Sequence, residues 1–230
     1  MKKTLLAVDK LDRLDLFSLT DLSTKSYYYI KVHGFGAYLK KVLLLIAEVF
    51  VKHREAVLFE KDLSEIPELI HPKIGVDIKM GTDNDVPRLR QLLPQYSARI
   101  FQSRLSKGDI FFIATINDKI IHQIWISFQD NYVALLNKEI VLKEGEVYSY
   151  HAYTAPEFRG NSVYTAVKRK ALGYLKAQGY ERCFFVVDLK TNQLTKAYER
   201  ISGTDKGAII SYWRILGYRS YRHKPYRGVE

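Results

Sequence analysis

The chain has 230 residues, of which 47% are hydrophobic and 27% charged, and this balance excludes a disordered or low-complexity chain. It contains one cysteine, Cys183, which excludes an intramolecular disulfide and a zinc site rich in thiolates. The Lys and Arg residues number 36 against 25 Asp and Glu, and the resulting charge of +11 favours nucleic acid, an anionic membrane or a small polyanion as partner.

The first third of the chain is predicted to be an extension of the main domain. A boundary is expected near residue 75, because Pro72 and Gly75 follow a polar stretch there. Residues 1–75 would form the extension and residues 76–230 the main domain. Apolar residues recur at helical spacing between residues 35 and 55, which predicts one helix, and residues 56–60 are predicted as a short strand.

The predicted helix at residues 35–55 fits two environments. Its apolar stripe is typical of a buried core helix, but basic residues flank its centre on both sides and would also suit the surface of an anionic membrane. No apolar run reaches the roughly 20 residues that a bilayer span needs. Asp9, Asp12 and Asp15 interrupt the apolar start of the chain, so we expect no secretion signal and a cytoplasmic protein, with peripheral membrane attachment as the alternative.

Strands and helices alternate in the rest of the sequence. The predicted strands cover residues 76–80, 110–116, 119–128, 147–154, 184–187, 209–216 and 219–222. The predicted helices cover residues 83–93, 163–178 and 192–201. This order predicts a mixed α/β fold, close to α+β, built on one sheet.

The most informative segment is the one that joins the strand at 147–154 to the helix at 163–178. Pro156 turns the chain, and a short Arg-Gly-Asn-Ser loop, residues 159–162, opens the helix. Backbone N–H groups are free at such a helix start and the helix dipole is positive there, so the segment can hold phosphate. Gly160 would let a ligand approach the backbone closely.

This segment resembles the loop that holds the pyrophosphate of acetyl-coenzyme A in GCN5-related N-acetyltransferases, the GNAT superfamily. The family's Arg/Gln-x-x-Gly-x-Gly/Ala motif falls on Arg159, Gly160, Asn161, Ser162, Val163 and Tyr164. Ser162 stands in place of the first motif glycine and can still offer its N–H group. Tyr164 replaces the second small residue and is expected to narrow the space for the phosphates.

Further landmarks extend the resemblance over roughly residues 76–222. They are the strand and helix start at residues 78–85, the strand that begins after Gly179, and Asn192 followed by an Ala-Tyr-Glu-Arg-Ile run and Gly203. The resemblance implies a GNAT fold, in which a central, mostly antiparallel sheet is splayed between its fourth and fifth strands. The N-terminal helical extension lies outside the resemblance.

The resemblance also implies a function and a set of site residues. An acetyl group would pass from acetyl-CoA to an amine by direct attack, with no metal. The pantetheine arm would lie beside Ala152, Tyr153 and Thr154. Tyr198 would give a proton to the leaving thiolate, and Asn192 would contact the pantetheine or help to hold Tyr198. Glu146, thirteen residues before Arg159, and the imidazole of His151 are the two candidates for the base.

The basic charge and the acceptor leave alternatives open. Arg159 is joined by Lys168, Arg169 and Lys170 as cations expected to meet the phosphates. The acceptor site is expected from the least patterned segments, residues 96–108 and 129–143. The alternatives are transfer of a longer acyl chain from an acidic carrier protein to an amino acid, and a non-catalytic module that binds protein or nucleic acid. Nucleic acid is the less favoured partner, and a homodimer is compatible with the sequence.

Overall fold

The computed structural model describes residues 34–66, 68–190 and 207–226. Its helices are α1 (Phe35–Phe50), α2 (Val86–Leu92), α3 (Ala98–Ser106) and α4 (Val163–Ala177). Its strands are β1 (Val51–Asp62), β2 (Asp77–Met80), β3 (Ile110–Ile116), β4 (Lys119–Ser127), β5 (Asn131–Val133), β6 (Lys138–Ile140), β7 (Glu146–Thr154), β8 (Arg182–Asp188), β9 (Gly207–Ile215) and β10 (Tyr218–Pro225). Short 3-10 turns cover Asp83–Asp85 and Pro156–Phe158.

Eight of the described strands form one sheet in the order β10-β9-β1-β8-β7-β4-β3-β2, and β5 and β6 form a separate hairpin. The pairs β2–β3, β3–β4, β4–β7 and β1–β8 are antiparallel, whereas β7 and β8 are parallel. A parallel pair needs a crossover connection, and α4 supplies it between β7 and β8. The predicted mixed α/β fold, with a mostly antiparallel sheet, is therefore confirmed.

The chain divides into two compact units. One comprises the described residues up to Lys52 together with Trp213–Arg219, and it contains α1. The other comprises His53–Tyr212 and the described residues from Ser220 onward. The expected boundary at residue 75 stays a prediction, but β1 of the predicted extension lies inside the large sheet, between β9 and β8.

The first helix is shorter than predicted. It ends at Phe50, and Val51 begins a strand of 12 residues instead of continuing the helix to residue 55. Flanked by β8 and β9, β1 finds hydrogen-bond partners that helical periodicity alone does not reveal. Within α1, Phe35, Leu39 and Leu43 are 65%, 47% and 57% exposed, so this part of the stripe is not buried. None of the described helices is long and apolar enough to cross a bilayer.

Helices cover the two faces of the sheet around β3 and β4. Because side chains alternate along a strand, Phe111 and Ile113 pack with α2 and α3, while Phe112 and Ala114 pack against α4. On α4 an apolar stripe at helical spacing is buried; it consists of Val163, Val167, Ala171 and Leu175. The sheet therefore separates the α4 face from the face covered by α2 and α3.

Three described elements, α3, β5 and β6, were not predicted from the sequence. Helix α3 buries only Phe101 fully, so its apolar signal is weak. Strands β5 and β6 are three residues each, which is too short for an alternating pattern to show.

Candidate active site

The sheet opens into a fork between β7 and β8. The two strands pair only at Glu146–Arg182, Val147–Cys183 and Tyr148–Phe184. Beyond Tyr148, β7 continues to Thr154 against β4, while β8 continues to Asp188 against β1. The inner backbone edges of the two strands are thus left without a ladder partner in the described structure, although each strand is anchored on its outer side.

A β-bulge bends β7 inside this fork. Gln123 of β4 pairs with Tyr153 and Trp125 pairs with Tyr150, so two residues of β7, His151 and Ala152, face one residue of β4. His151 has φ +49°, a left-handed conformation that is rare for residues other than glycine. Bulges of this kind re-aim side chains and cluster next to active sites. Here the bulge leaves Ala152 exposed in the fork.

The loop after β7 leads into α4 through two residues in the left-handed region. Gly160 has φ +80° and Ser162, the N-cap of α4, has φ +59°. The side-chain amide of Asn161 donates to the carbonyl oxygen of Phe158 at 3.2 Å. The backbone carbonyl oxygen of Asn161 accepts from the Lys73 amide at 3.0 Å. The first helical hydrogen bond runs from Ala166 to Ser162, so the amides of residues 163–165 have no acceptor within the helix.

Arg159 folds back onto the end of β7. Its Nε donates to the Thr154 carbonyl oxygen at 3.1 Å, and its guanidinium carbon lies 5.8 Å from the centre of the Tyr153 ring. A hydrogen bond of 2.7 Å joins the Thr154 hydroxyl to Nδ1 of His122. These contacts bring Arg159, Tyr153 and Thr154 together where the fork meets the loop.

The expectation that Tyr164 narrows the phosphate loop is wrong. Its ring packs edge-on against His122 of β4, with 5.7 Å between ring centres, and adjoins the apolar cluster under α4. Tyr164 lies three and four residues before the buried residues Val167 and Lys168, so helical periodicity puts it on the same, sheet-facing side of α4. The loop at Gly160–Ser162 is therefore not filled by this ring.

The cations of α4 do not all meet the loop, contrary to prediction. Lys168 is 1% exposed, and its Nζ lies 4.4 Å from the Phe185 ring centre and 3.8 Å from the Cys183 sulfur. Arg169 donates to the Glu68 carbonyl oxygen and Lys170 to that of Ile78. Helical periodicity turns these positions toward the sheet and its edges, so of the four cations Arg159 alone has its described contacts at the loop end of β7.

On the other face of the sheet, His151 is held by Arg104 of α3. Arg104 Nη1 donates to His151 Nδ1 at 2.8 Å, and because arginine can only donate, Nδ1 must be the unprotonated nitrogen. Burial, together with the positive charge of Arg104, lowers the pKa of His151 to about 3. The Tyr96 ring packs edge-on at 4.8 Å. His151 is therefore a neutral imidazole whose basic nitrogen is already engaged.

Glu146 lies at the closed end of the fork. It is buried, its Oε1 lies 2.9 Å from Arg182 Nη2, and its Oε2 accepts from the Lys143 amide at 2.9 Å. The bulge at Ala152 is six residues further along β7, about 20 Å away for an extended strand. These contacts favour a role for Glu146 in closing the base of the fork.

Two predicted residues, Tyr198 and Asn192, lie outside the described residues.

The sequence pattern did not reveal Arg104 and Gln123, both of which contact His151. Arg104 belongs to the unpatterned segment 96–108, and only its place in the expected acceptor segment pointed to it. In the part of the chain that the structure describes, no group of three His, Cys, Asp or Glu side chains could hold a metal ion.

The comparison with family models agrees with this geometry. The model described as "Acetyltransferase (GNAT) family" matches residues 82–203, which is more than half of the chain. The fork, the bulged strand and the loop before α4 all fall within the matched residues. The chain belongs to the GNAT acetyltransferase family. No curated protein sequence matches it.

Solved structures are similar to this chain at low sequence identity, and the first of those named here shares its fold. A GCN5-related N-acetyltransferase from Sphaerobacter thermophilus is 12% identical with a TM-score of 0.51, covering 83% of this chain and 58% of its own. A GNAT-family protein from Novosphingobium aromaticivorans is 15% identical with a TM-score of 0.46, covering 66% and 61%. A GNAT-family acetyltransferase from Brucella melitensis, solved with acetyl-CoA, is 15% identical with a TM-score of 0.39, covering 48% and 75%. The chain thus spans about three fifths of the length of the first two proteins.

Proposed function

We propose that this chain is an acetyl-CoA-dependent N-acetyltransferase. The observation that carries the proposal is the fork between β7 and β8, which opens beside the loop and first turn of α4 in a member of this family. The amides of residues 160–164 would bind the diphosphate, and Arg159 would add a positive charge. The backbone of Ala152, Tyr153 and Thr154 would pair with the amide groups of the pantetheine arm.

The transfer would proceed by direct attack of the acceptor amine on the thioester carbonyl. A C–N bond forms, the C–S bond breaks, the amine loses a proton and the thiolate gains one. We propose Tyr198 as the donor of the second proton, supported by Asn192. His151 cannot take the amine proton at Nδ1 while Arg104 donates to that atom, and Glu146 is engaged by Arg182. The amine proton would therefore pass to solvent at the exposed residue Ala152.

Replacing Ser162 tests the diphosphate site directly. Ser162→Asp places a negative charge at the loop and should weaken acetyl-CoA binding by about tenfold or more, because like charges repel at close range. Ser162→Asn is the matched control, since it has the same size, no charge, and tolerates the left-handed backbone at this position. It should change the affinity by less than about threefold, which is below 1 kcal/mol.

The measurement is isothermal titration calorimetry with acetyl-CoA and with S-acetylpantetheine, which lacks the diphosphate. The wild-type chain should bind acetyl-CoA far more tightly than S-acetylpantetheine, and Ser162→Asp should abolish most of that difference. Thiol release in the presence of a panel of amines reports the transfer itself. Absence of heat with acetyl-CoA, or equal affinities of the Asp and Asn variants, would contradict the proposed site.

A further inference from the structure

Arg104 presents a positive charge beside the bulge without a carboxylate to balance it. Its guanidinium carbon lies 5.1 Å from the ring centres of both Trp125 and Tyr150, so aromatic faces hold it in place. None of the ion pairs between described residues includes Arg104. The carboxylate of Asp109 instead accepts a 2.6 Å hydrogen bond from the Tyr150 hydroxyl. The only described hydrogen bond of the Arg104 side chain is the one to His151, so donors of the guanidinium are left over.

A second polar group at the same place is incompletely paired. Gln123 is fully buried, and its Nε2 donates to the carbonyl oxygen of His151, the bulged residue. Its Oε1 is buried and, within the described structure, has no hydrogen-bond partner. A buried acceptor without a donor costs free energy unless a ligand or water supplies one. Next to the fork, Arg104 therefore has N–H donors without a described acceptor, and Gln123 Oε1 is an acceptor without a described donor.

These groups lie on the face of the sheet that α2 and α3 cover. Arg104, Trp125 and Phe101 belong to the cluster covered by α2 and α3, whereas the phosphate loop begins α4, which covers the opposite face. Arg104 is only half-buried, so part of this residue is exposed to solvent. The planar guanidinium of Arg104 can donate two parallel hydrogen bonds to the two oxygens of a carboxylate.

We infer that Arg104 binds the carboxylate of the acceptor, and that the acceptor is an amino acid. The inference rests on the proposed acetyltransferase function. The carboxylate would pair with the guanidinium, and the Oε1 of Gln123 would accept a hydrogen bond from the amine. The amine would then lie at the bulge, beside Ala152, where the thioester carbonyl is proposed to bind. His151 acts as a positioning residue, because its Nδ1 fixes the direction of the guanidinium.

The test compares each of the proteinogenic amino acids with its own carboxamide as acceptor at saturating acetyl-CoA. Carboxamides carry more unprotonated amine at neutral pH, so intrinsic reactivity favours them and only binding can reverse the order. The wild-type chain should prefer its best amino acid over the matching carboxamide by about tenfold to hundredfold in kcat/KM, as a charge-assisted pair is expected to provide.

Two substitutions on α3 make the comparison specific. Arg104→Met keeps an apolar stem against the aromatic rings but removes the charge, and it should reduce the preference to about threefold or less, mainly by raising KM. Arg99→Met removes the same charge from an exposed position of the same helix and should leave the preference unchanged. Equal use of acids and carboxamides by the wild-type chain, or a preference that survives in Arg104→Met, overturns the inference.

Failure of the inference can be told apart from failure of the proposed function. If acetyl-CoA binds and carboxamides react as well as acids, the acceptor assignment alone is wrong. If acetyl-CoA does not bind, the proposed function fails, and the same ligand pairs are then followed by NMR at the ring signals of His151. A shift with the amino acid, absent with the carboxamide and in Arg104→Met, would still support the carboxylate site; no such shift would refute it.

Discussion

At the scale of single residues, the loop before α4 depends on two left-handed positions. Gly160 suits its φ of +80°, but Ser162 holds a φ of +59° where glycine is the usual residue of the family motif. This explains in conformational terms why that position favours glycine: a Cβ is strained there. Serine at position 162 therefore lowers the stability of the native state, although the backbone still adopts the left-handed conformation.

Ser162→Gly should raise the free energy of unfolding by about 0.5–1 kcal/mol, because it removes the strain of a left-handed side-chain residue. Gly160→Ala should lower it, and since no atom lies within 4 Å of the added Cβ, the loss would be purely conformational. Urea unfolding of the two variants measures both effects. A destabilised Ser162→Gly variant would mean that the hydroxyl contributes more than the backbone strain costs.

At the scale of elements, α4 joins the phosphate loop to the base of the fork through a buried lysine. Lys168 contacts Cys183 and the Phe185 ring, and these two residues flank the last pairing of β8 with β7. Burial lowers the pKa of the Lys168 ammonium, and burial raises the pKa of the Cys183 thiol. The helix is therefore anchored on the sheet by a polar pair whose charged forms are both disfavoured by burial.

Lys168→Met should stabilise the chain at pH 7 by about 1–3 kcal/mol, because it replaces a desolvated amine with an apolar side chain of similar length. In the unfolded chain the lysine stays protonated up to about pH 10, so the unfolded chain binds more protons than the native chain below that pH. The destabilisation caused by burying Lys168 therefore becomes smaller as the pH rises toward 10. The stabilisation by Lys168→Met should accordingly be smaller at pH 9.5 than at pH 7. Urea unfolding measures it in a Cys183→Ala background, which removes the titration of the thiol.

Lys170→Met, at an exposed position of α4, is the control and should change stability by about 0.5 kcal/mol or less. A loss of stability in Lys168→Met would show that the contacts of the Lys168 amine with Cys183 and the Phe185 ring outweigh the free-energy cost of burying it.

At the scale of the whole molecule, two buried histidines tie stability to pH. Burial lowers the pKa of both His122 and His151 to about 3, and Arg104 adds to the effect at His151. Between this value and about pH 6.5 the unfolded chain binds more protons than the native chain. The stabilising contribution is thus complete above about pH 6.5 and is lost progressively as the pH falls toward 3.

The free energy of unfolding should therefore decrease between pH 7 and pH 5, a range in which ordinary carboxylates stay ionised. Urea unfolding at the two pH values measures the decrease. NMR titration of the histidine ring signals assigns it, because His122 and His151 should stay neutral throughout. Titration of either ring near pH 6.5 would rule out the proposed cause.

The sequence by itself determined the order of most elements, the family and the place of the phosphate loop. Hydrophobic periodicity located α4 and the strands around it, and the Arg159–Ser162 loop predicts a phosphate-binding site. These features are local: they depend on side-chain spacing along one segment and on the conformational freedom of Gly160.

Only the tertiary structure decided the end of α1, the direction of the lysine and tyrosine side chains on α4, and the contacts of Arg104 with His151. The chain continues as β1 because this strand is flanked by β8 and β9 in the sheet, and its residues Ala56–Asp62 pair with β8, which lies far away in sequence. Arg104 and His151 are 47 residues apart, and no periodicity links them. Their contact arises because a bulge in β7 and the packing of α3 on the same face of the sheet bring them together, and such long-range packing has no signature in a single sequence.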